Sequence, residues 1–201
     1  MKLTPEFFQR DDTLAIGREL LGKYLVSTCG GVITSGMIVE TEAYHGELDR
    51  ACHSFGRRRT ARNEVMYLPG GHWYVYMCYG IHALLNVVTH AVDEPHGVLI
   101  RAIEPCEGID HMLKRRKMDK IQTKLTSGPG CITDALGITR GLSGQKVGGE
   151  VWIEDRGILV SDSQIFASPR IGVLYAGEDA LLPYRFEIKG NKWVSAPRAP
   201  N

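Results

Sequence analysis

HWYVYMCYG at 72–80, ALLNVVTH at 83–90 and GVLIRAIEP at 97–105 decide what kind of fold this chain can form. Each run is rich in β-branched and aromatic residues, which suit a pleated, half-buried surface. The first two are close enough in sequence to make a hairpin that bends near Gly80. Towards the N-terminus, KYLVSTC and GVITSGMIVETEAY carry the same signature and are parted by Gly30 and Gly31, so an antiparallel sheet begins there. Towards the C-terminus, EVWIED, GVLY and RFEI read as further strands, and the tail SAPRAPN as irregular.

Helices flank these runs. Thr4 before Pro5, and Asp12 before TLAIGRELLG, each offer a capping oxygen ahead of a first turn, with Gly22 as a stop. CEGIDHMLKRRK reads as a helix with a basic exit, and TSGPGCITDALGI as a short helix opened by Ser127 and its glycines and closed at Gly137. Residues 45–71 have no sustained apolar period and read as a long surface excursion, a length that is uncommon unless functional. Strands and helices do not alternate as βαβ units, so the expected class is α+β. With 201 residues, 43% of them apolar, no internal repeat and no Pro-, Gly- or Ser-rich linker, residues 1–201 read as a single domain.

The net charge of +1 gives no global attraction to nucleic acid, so a phosphate-binding surface has to come from local clusters. Five cysteines without a CxxC pair predict a reducing compartment, and the start MKLTPEFF carries no leader pattern, which together predict a soluble, cytoplasmic protein with no membrane partner. The seven histidines form no HExxH or other metal-ligand spacing, and neither a GxxxxGK[ST] loop nor a GxSxG elbow occurs, so no metal and no cofactor are expected.

On a strand through VETEAY, alternate side chains share a face, which groups Glu40, Glu42 and Tyr44. Such a strip is commonly just the polar side of a half-buried strand. Two carboxylates in a partly dry pocket, one protonated and one ionised, also suit the breaking of a glycosidic bond, and strand parity does not choose between them. Of the neighbouring rings, Trp73 or Tyr74 reads as a packing residue. Tyr79, beside Gly80 at the hairpin tip, reads as a projecting wedge of the kind that enters a base stack. Basic residues collect at Arg57, Arg58, Arg59 and Arg62, where they could meet phosphates, and again from Lys114 to Lys120, where they could complement a helix end.

The ordered segments VETEAY (39–44), DRACHS (49–54), YVYMCYG (74–80), LLNVV (84–88), VLIRAIEP (98–105), SGPG (127–130), RIGV (170–173), AGE (176–178) and KWVS (192–195) resemble the alkyladenine, or 3-methyladenine, DNA glycosylases of the methylpurine glycosylase family. The resemblance spans nearly the whole chain. It implies one mixed domain with a curved antiparallel sheet, flanking helices and a protruding hairpin that probes DNA, without cofactor or metal. It makes Glu42 the general base and Glu40 a supporting carboxylate. Tyr44, His53 and Tyr76 would enclose an extruded purine, and the backbone about Ala51 and His53 would read its edge. Asn86 would disfavour guanine, Tyr79 would fill the vacated place in the duplex, and Arg101 would lie near the pocket and the DNA backbone; Arg58 and Arg62, from the basic cluster, are the further candidates for DNA contact. Glu47, Ala61 and the small segment Ile81–Leu85 depart from the family pattern and bear on loop rigidity and the grip on DNA.

The implied activity is excision of alkylated or deaminated purines (3-methyladenine, hypoxanthine, ethenoadenine) from double-stranded DNA by a monomer. With no lysine beside the acidic strand to form an imine, the enzyme is expected to be monofunctional and to leave an abasic site. Two other readings stand beside it: a catalytically inactive module that binds damaged DNA, and a hydrolase of free nucleosides.

Overall fold

In the computed structural model, which describes residues 1–195, the strands β1 (Tyr24–Ser27), β2 (Thr34–Tyr44), β3 (Trp73–Cys78), β4 (His82–Thr89), β5 (His96–Glu107) and β6 (Val151–Glu154) share one open sheet. Their order is β3-β4-β5-β2-β1-β6. A further strand, β7 (Ile165–Ser168), pairs with β8 (Arg185–Ile188), which returns to β2, and all these pairings are antiparallel. The helices are few and short: α1 (Pro5–Phe8), α2 (Thr13–Glu19), α3 (Ile109–Arg115) and α4 (Pro129–Leu136). The fold is therefore α+β, with the hairpin where the aromatic run placed it.

Strand parity sorts the sheet into two faces. Trp73 and Val75 of β3, Leu85 and Val87 of β4 and Val98, Ile100 and Ala102 of β5 turn one way, into a core shared with Phe8, Ile16, Leu20 and Leu136. Burying each of these larger side chains contributes on the order of 1.5–3 kcal/mol. Tyr74 and Tyr76, Leu84 and Asn86, and Leu99 and Arg101 turn the other way and line a cavity. The sheet is thus a partition between core and cavity, which is why its strands alternate between aliphatic and chemically capable residues.

Capping follows the expected logic only in part. Asp12 accepts the Ala15 N–H at 2.8 Å, and Gly137, at φ 70°, closes α4. Thr4 caps nothing with its side chain, and α4 starts from Gly128, not Ser127. Arg115 donates to the Ala135 carbonyl at 3.0 Å and Arg116 pairs with Asp134 at 2.8 Å, so the second basic group braces the end of α4.

Two sequence expectations are corrected, and one strand is added to them. GVLY is not a strand: Leu174–Leu181 forms 3-10 turns, because Gly172 (φ 81°) and Gly177 (φ 61°) bracket the apolar run with backbone that no strand accommodates. β7 was not anticipated, since its four residues carry too short a pattern to stand out. Residues 45–71 are not merely a surface excursion. Ala51, Cys52, Ser54, Asn63, Met66 and Tyr67 are buried, and the segment closes against α1 at Gly70, where a Cβ would lie 2.3 Å from the Phe8 carbonyl oxygen. Of the tail SAPRAPN, residues 196–201 lie outside the described residues.

Candidate active site

A single row of side chains crosses the sheet. Tyr74 stands opposite Asn86, Asn86 opposite Leu99, Leu99 opposite Glu42 and Glu42 opposite Arg185. Three irregularities interrupt the pairing of β2 with β5, and the two nearest the acidic residues compensate each other. Ile38 faces Ile103 and Glu40 faces Ala102, leaving Val39 over; Thr41 then faces Ile100, leaving Arg101 over. Bulges re-aim side chains. Here the second of that pair sets Arg101 between the two acidic residues, 3.0 Å from Glu40 and 3.2 Å from Glu42.

Both carboxylates have no solvent exposure, yet every neighbour donates to them. Glu40 accepts from Arg185 Nε at 2.6 Å and from the Ser195 N–H and hydroxyl at 2.7 and 2.8 Å, in addition to Arg101. Glu42 accepts from the Ile171 N–H at 2.7 Å on one oxygen, and from the Tyr44 hydroxyl at 2.9 Å and Arg101 on the other. An ionised carboxylate is tolerated at such depth only when paired and fully hydrogen-bonded. Where the sequence alone suggested two carboxylates repelling each other, the structure sets cations against both. Two guanidinium groups compensate the pair.

Tyr44, Ala51, His53, Tyr76, Asn86 and Arg101 all line one cavity of about 1280 Å³, and Arg62 and Tyr79 border it. His53 and Tyr76 meet edge-to-face at 4.6 Å, while the Tyr74 hydroxyl lies 2.8 Å from His53 Nδ1 and fixes the imidazole. Burial, and next the Arg62 and Arg58 charges, push His53 down to about 4, so its ring is neutral at neutral pH. Asn86 donates to the Tyr74 carbonyl at 3.1 Å, which orients its amide within the cavity wall. The Ala51 carbonyl accepts from the Tyr175 hydroxyl at 3.1 Å.

At the hairpin tip Tyr79 and Gly80 both have positive φ, 51° and 69°, as the central residues of a tight hairpin turn do. Tyr79 is 90% exposed. The basic loop divides in two. Arg57 pairs with Glu47, one of the positions that depart from the family pattern, and Arg59 pairs with Glu64 and Asp93. Arg58 is exposed, and Arg62 lies over the Tyr76 ring, 5.5 Å from its centroid. Arg101, only 7% exposed, reaches the cavity from within its wall and does not stand on the outer surface.

Four supporting residues escaped the sequence reading. Arg170 bridges both oxygens of Asp49, donates to the Ala43 carbonyl at 3.0 Å and covers a face of the Tyr44 ring at 4.8 Å. Arg185 and Ser195 hold Glu40. All four lie in or beside quoted segments (DRACHS, RIGV, RFEI, KWVS), but nothing local in those segments says which charge meets which. Among the described residues, no group of three or more His, Cys, Asp or Glu side chains could hold a metal ion. No helix there is long and apolar enough to cross a membrane.

Comparison with known proteins gives the class: this is a DNA glycosylase, a hydrolase of N-glycosyl bonds whose substrate is damaged DNA. The chain belongs to the methylpurine-DNA glycosylase family, whose model matches residues 6–192. It is 46% identical over 189 residues to a protein of Chlamydia pneumoniae, covering 92% of this chain and 93% of that one. It is 45% identical over 203 residues to one of Clostridium acetobutylicum, covering 97% and 98%. Both relatives bear the name "Putative 3-methyladenine DNA glycosylase".

Proposed function

We propose that the protein extrudes an alkylated or deaminated purine (3-methyladenine, hypoxanthine or ethenoadenine) from duplex DNA and hydrolyses its bond to deoxyribose, acting as a monomer. The observation that carries this reading is the placement of Glu42, an arginine-braced carboxylate immediately behind a cavity walled by Tyr44, His53 and Tyr76. Flat rings receive a flat substrate. A neutral His53 stacks against a cationic alkylated purine without like-charge repulsion. The backbone at Ala51 and His53 reads the purine edge, and Asn86 opposes the amino group of guanine. Extrusion from the stack costs on the order of a few kcal/mol, least for a damaged or mispaired base. Tyr79 fills the gap that is left, and Arg58 and Arg62 engage the flanking phosphates while Arg101 faces the sugar-phosphate from inside the pocket.

As the base departs, its sugar acquires oxocarbenium character. Glu42 stabilises that charge and takes a proton from the attacking water, with Glu40 keeping Arg101 in place. The strand is left intact at an abasic site, because among the described residues no lysine lines the cavity to form an imine. The test is release of base from a panel of modified duplex oligonucleotides by the parent and by Glu42→Gln. The expected result is loss of about two to four orders of magnitude in the single-turnover rate on removal of the base. Binding of damaged duplex with no release by either protein would favour a binding module, and release from free deoxynucleosides as fast as from duplex would favour a nucleoside hydrolase.

A further inference from the structure

Of the large apolar side chains that stand well exposed among the described residues, three line the cavity: Tyr79, Leu174 and Tyr175. Tyr79 is accounted for as the wedge. Leu174 and Tyr175, 83% and 69% exposed, are not. An exposed apolar residue standing alone needs no explanation, but neighbours at the mouth of a site mark a contact.

Their projection is built into the fold. Gly172 and Gly177 bracket the turn at φ 81° and 61°, and between them Val173 and Ala176 are buried in a cluster with Ala51 and Ala180, against which Tyr44 packs. With the residue on either side facing in, Leu174 and Tyr175 face out. The Tyr175 hydroxyl donates to the Ala51 carbonyl at 3.1 Å, which ties its ring across to the 45–71 segment. The turn leads into β8, and β8 and β3 hold opposite ends of the row that runs from Tyr74 to Arg185. Tyr79 and the apolar pair therefore belong to opposite flanks of the cavity.

From this placement we infer that Leu174 and Tyr175 form an apolar lip that packs against the deoxyribose of the extruded nucleotide. The inference rests on extrusion from a duplex, as proposed above. A nucleotide with its base in the cavity and its phosphates in the strand has its sugar at the mouth. The lip is not built for phosphate: residues 171–184 contain no Lys or Arg, and Glu178 and Asp179 are acidic. The carbon-rich face of a deoxyribose suits it. Ile171, three residues before Leu174, donates its N–H to Glu42 at 2.7 Å, so the lip and the carboxylate are set by one short segment. A sugar seated on the lip is thus held in fixed relation to Glu42, and Leu174 and Tyr175 are positioning residues for the reaction.

The experiment measures, by fluorescence anisotropy, binding to intact duplex and to the same duplex carrying a tetrahydrofuran abasic analogue, which offers the sugar ring without a base. The proteins are the parent, Leu174→Ser and the double variant Leu174→Ser, Tyr175→Ser. The single variant leaves the bond from Tyr175 to Ala51 in place. The parent should prefer the analogue, and the double variant should lose about tenfold or more of its affinity for it, as burial of one large apolar side chain alone would give. Leu174→Ser should lose part of this. Affinity for intact duplex should not change, which also shows that the variants are folded. The dependence of log affinity on log salt should run parallel to the parent's, since no phosphate contact is removed. A variant that prefers the analogue as strongly as the parent, an equal loss on both duplexes, or a shallower salt dependence overturns the lip alone. A parent without preference for the analogue overturns extrusion and the lip together.

Discussion

Replacing Arg170 by Met tests whether the far wall of the site is held by charge. Arg170 is buried with Asp49, their side chains 0% and 2% exposed, and it donates to both Asp49 oxygens, to the Ala43 carbonyl at 3.0 Å and to the Asp179 carbonyl at 3.2 Å. Asp49 would keep the N–H groups of His45 and Ala51, at 3.0 and 2.9 Å, but would lose its only cation among the described residues. Leaving one charge of a buried pair uncompensated costs about 3–5 kcal/mol. With a urea m-value of about 2 kcal/mol/M, the midpoint of unfolding should fall by about 1.5–2.5 M. The companion variant is Asp49→Asn on the Arg170→Met background, which removes the stranded charge and keeps an acceptor for one of the two N–H groups, since these bond different Asp49 oxygens. It should recover at least about 1 kcal/mol of the loss, since a neutral unpaired group is less costly than a charged one. Equilibrium urea unfolding followed by tryptophan fluorescence gives both values. An Arg170→Met protein within about 1 kcal/mol of the parent, or a double variant whose cost equals the sum of the two single costs, would refute the reasoning, because independent sites add and a coupled pair does not.

Tyr79→Ala should leave stability unchanged, since the side chain is 90% exposed, and should weaken binding to damaged duplex more than it slows single-turnover release at saturating enzyme. A defect confined to the chemical step would remove the wedge. Arg58→Ala should lower affinity for every duplex alike and reduce the dependence of log affinity on log salt by about one unit, measurable by fluorescence anisotropy. His53 and His96 are both pushed down to about 4, chiefly by burial, with Arg62 and Arg58 acting on His53, and His45 and His90 on His96. The unfolded chain, with histidines near the usual value of about 6.5, takes up protons first as pH falls. Their contribution to stability is therefore complete above about pH 6.5 and is lost progressively towards pH 4. His96→Gln should show a shallower decline in urea midpoint over that window than the parent, and an unchanged slope would contradict the assignment.

The sheet was legible because its signals are local. β3, β4 and β5 each carry a run of β-branched and aromatic residues, and the period of two grouped Glu40, Glu42 and Tyr44 on one face of β2, whereas the row from Tyr74 through Asn86 to Glu42 needed the pairing of four strands. GVLY misled for the same reason: an apolar run reads as a strand, and only the positive φ of Gly172 and Gly177 turns it aside. The excursion at 45–71 looked like surface because its buried residues follow no period, being held by contacts with α1 and the cavity wall rather than by a ladder.

By itself, then, the amino-acid order determined the strand faces, the hairpin tip at Tyr79 and Gly80, and the residue types that chemistry on a purine requires. Tertiary structure alone decided how the charges are shared. Arg101 reaches Glu40 and Glu42 because paired irregularities in β2 and β5 leave it unmatched, and a register shift belongs to two strands at once. Asp49 meets Arg170, and Glu40 meets Arg185 and Ser195, across more than a hundred residues of chain, a distance over which no periodicity carries information. Glu42 ends up fully buried, bonded to the hydroxyl of the cavity-lining Tyr44, for the same physical reason: burial is a property of the packed whole, set by every element that closes over a residue and not by its neighbours in sequence.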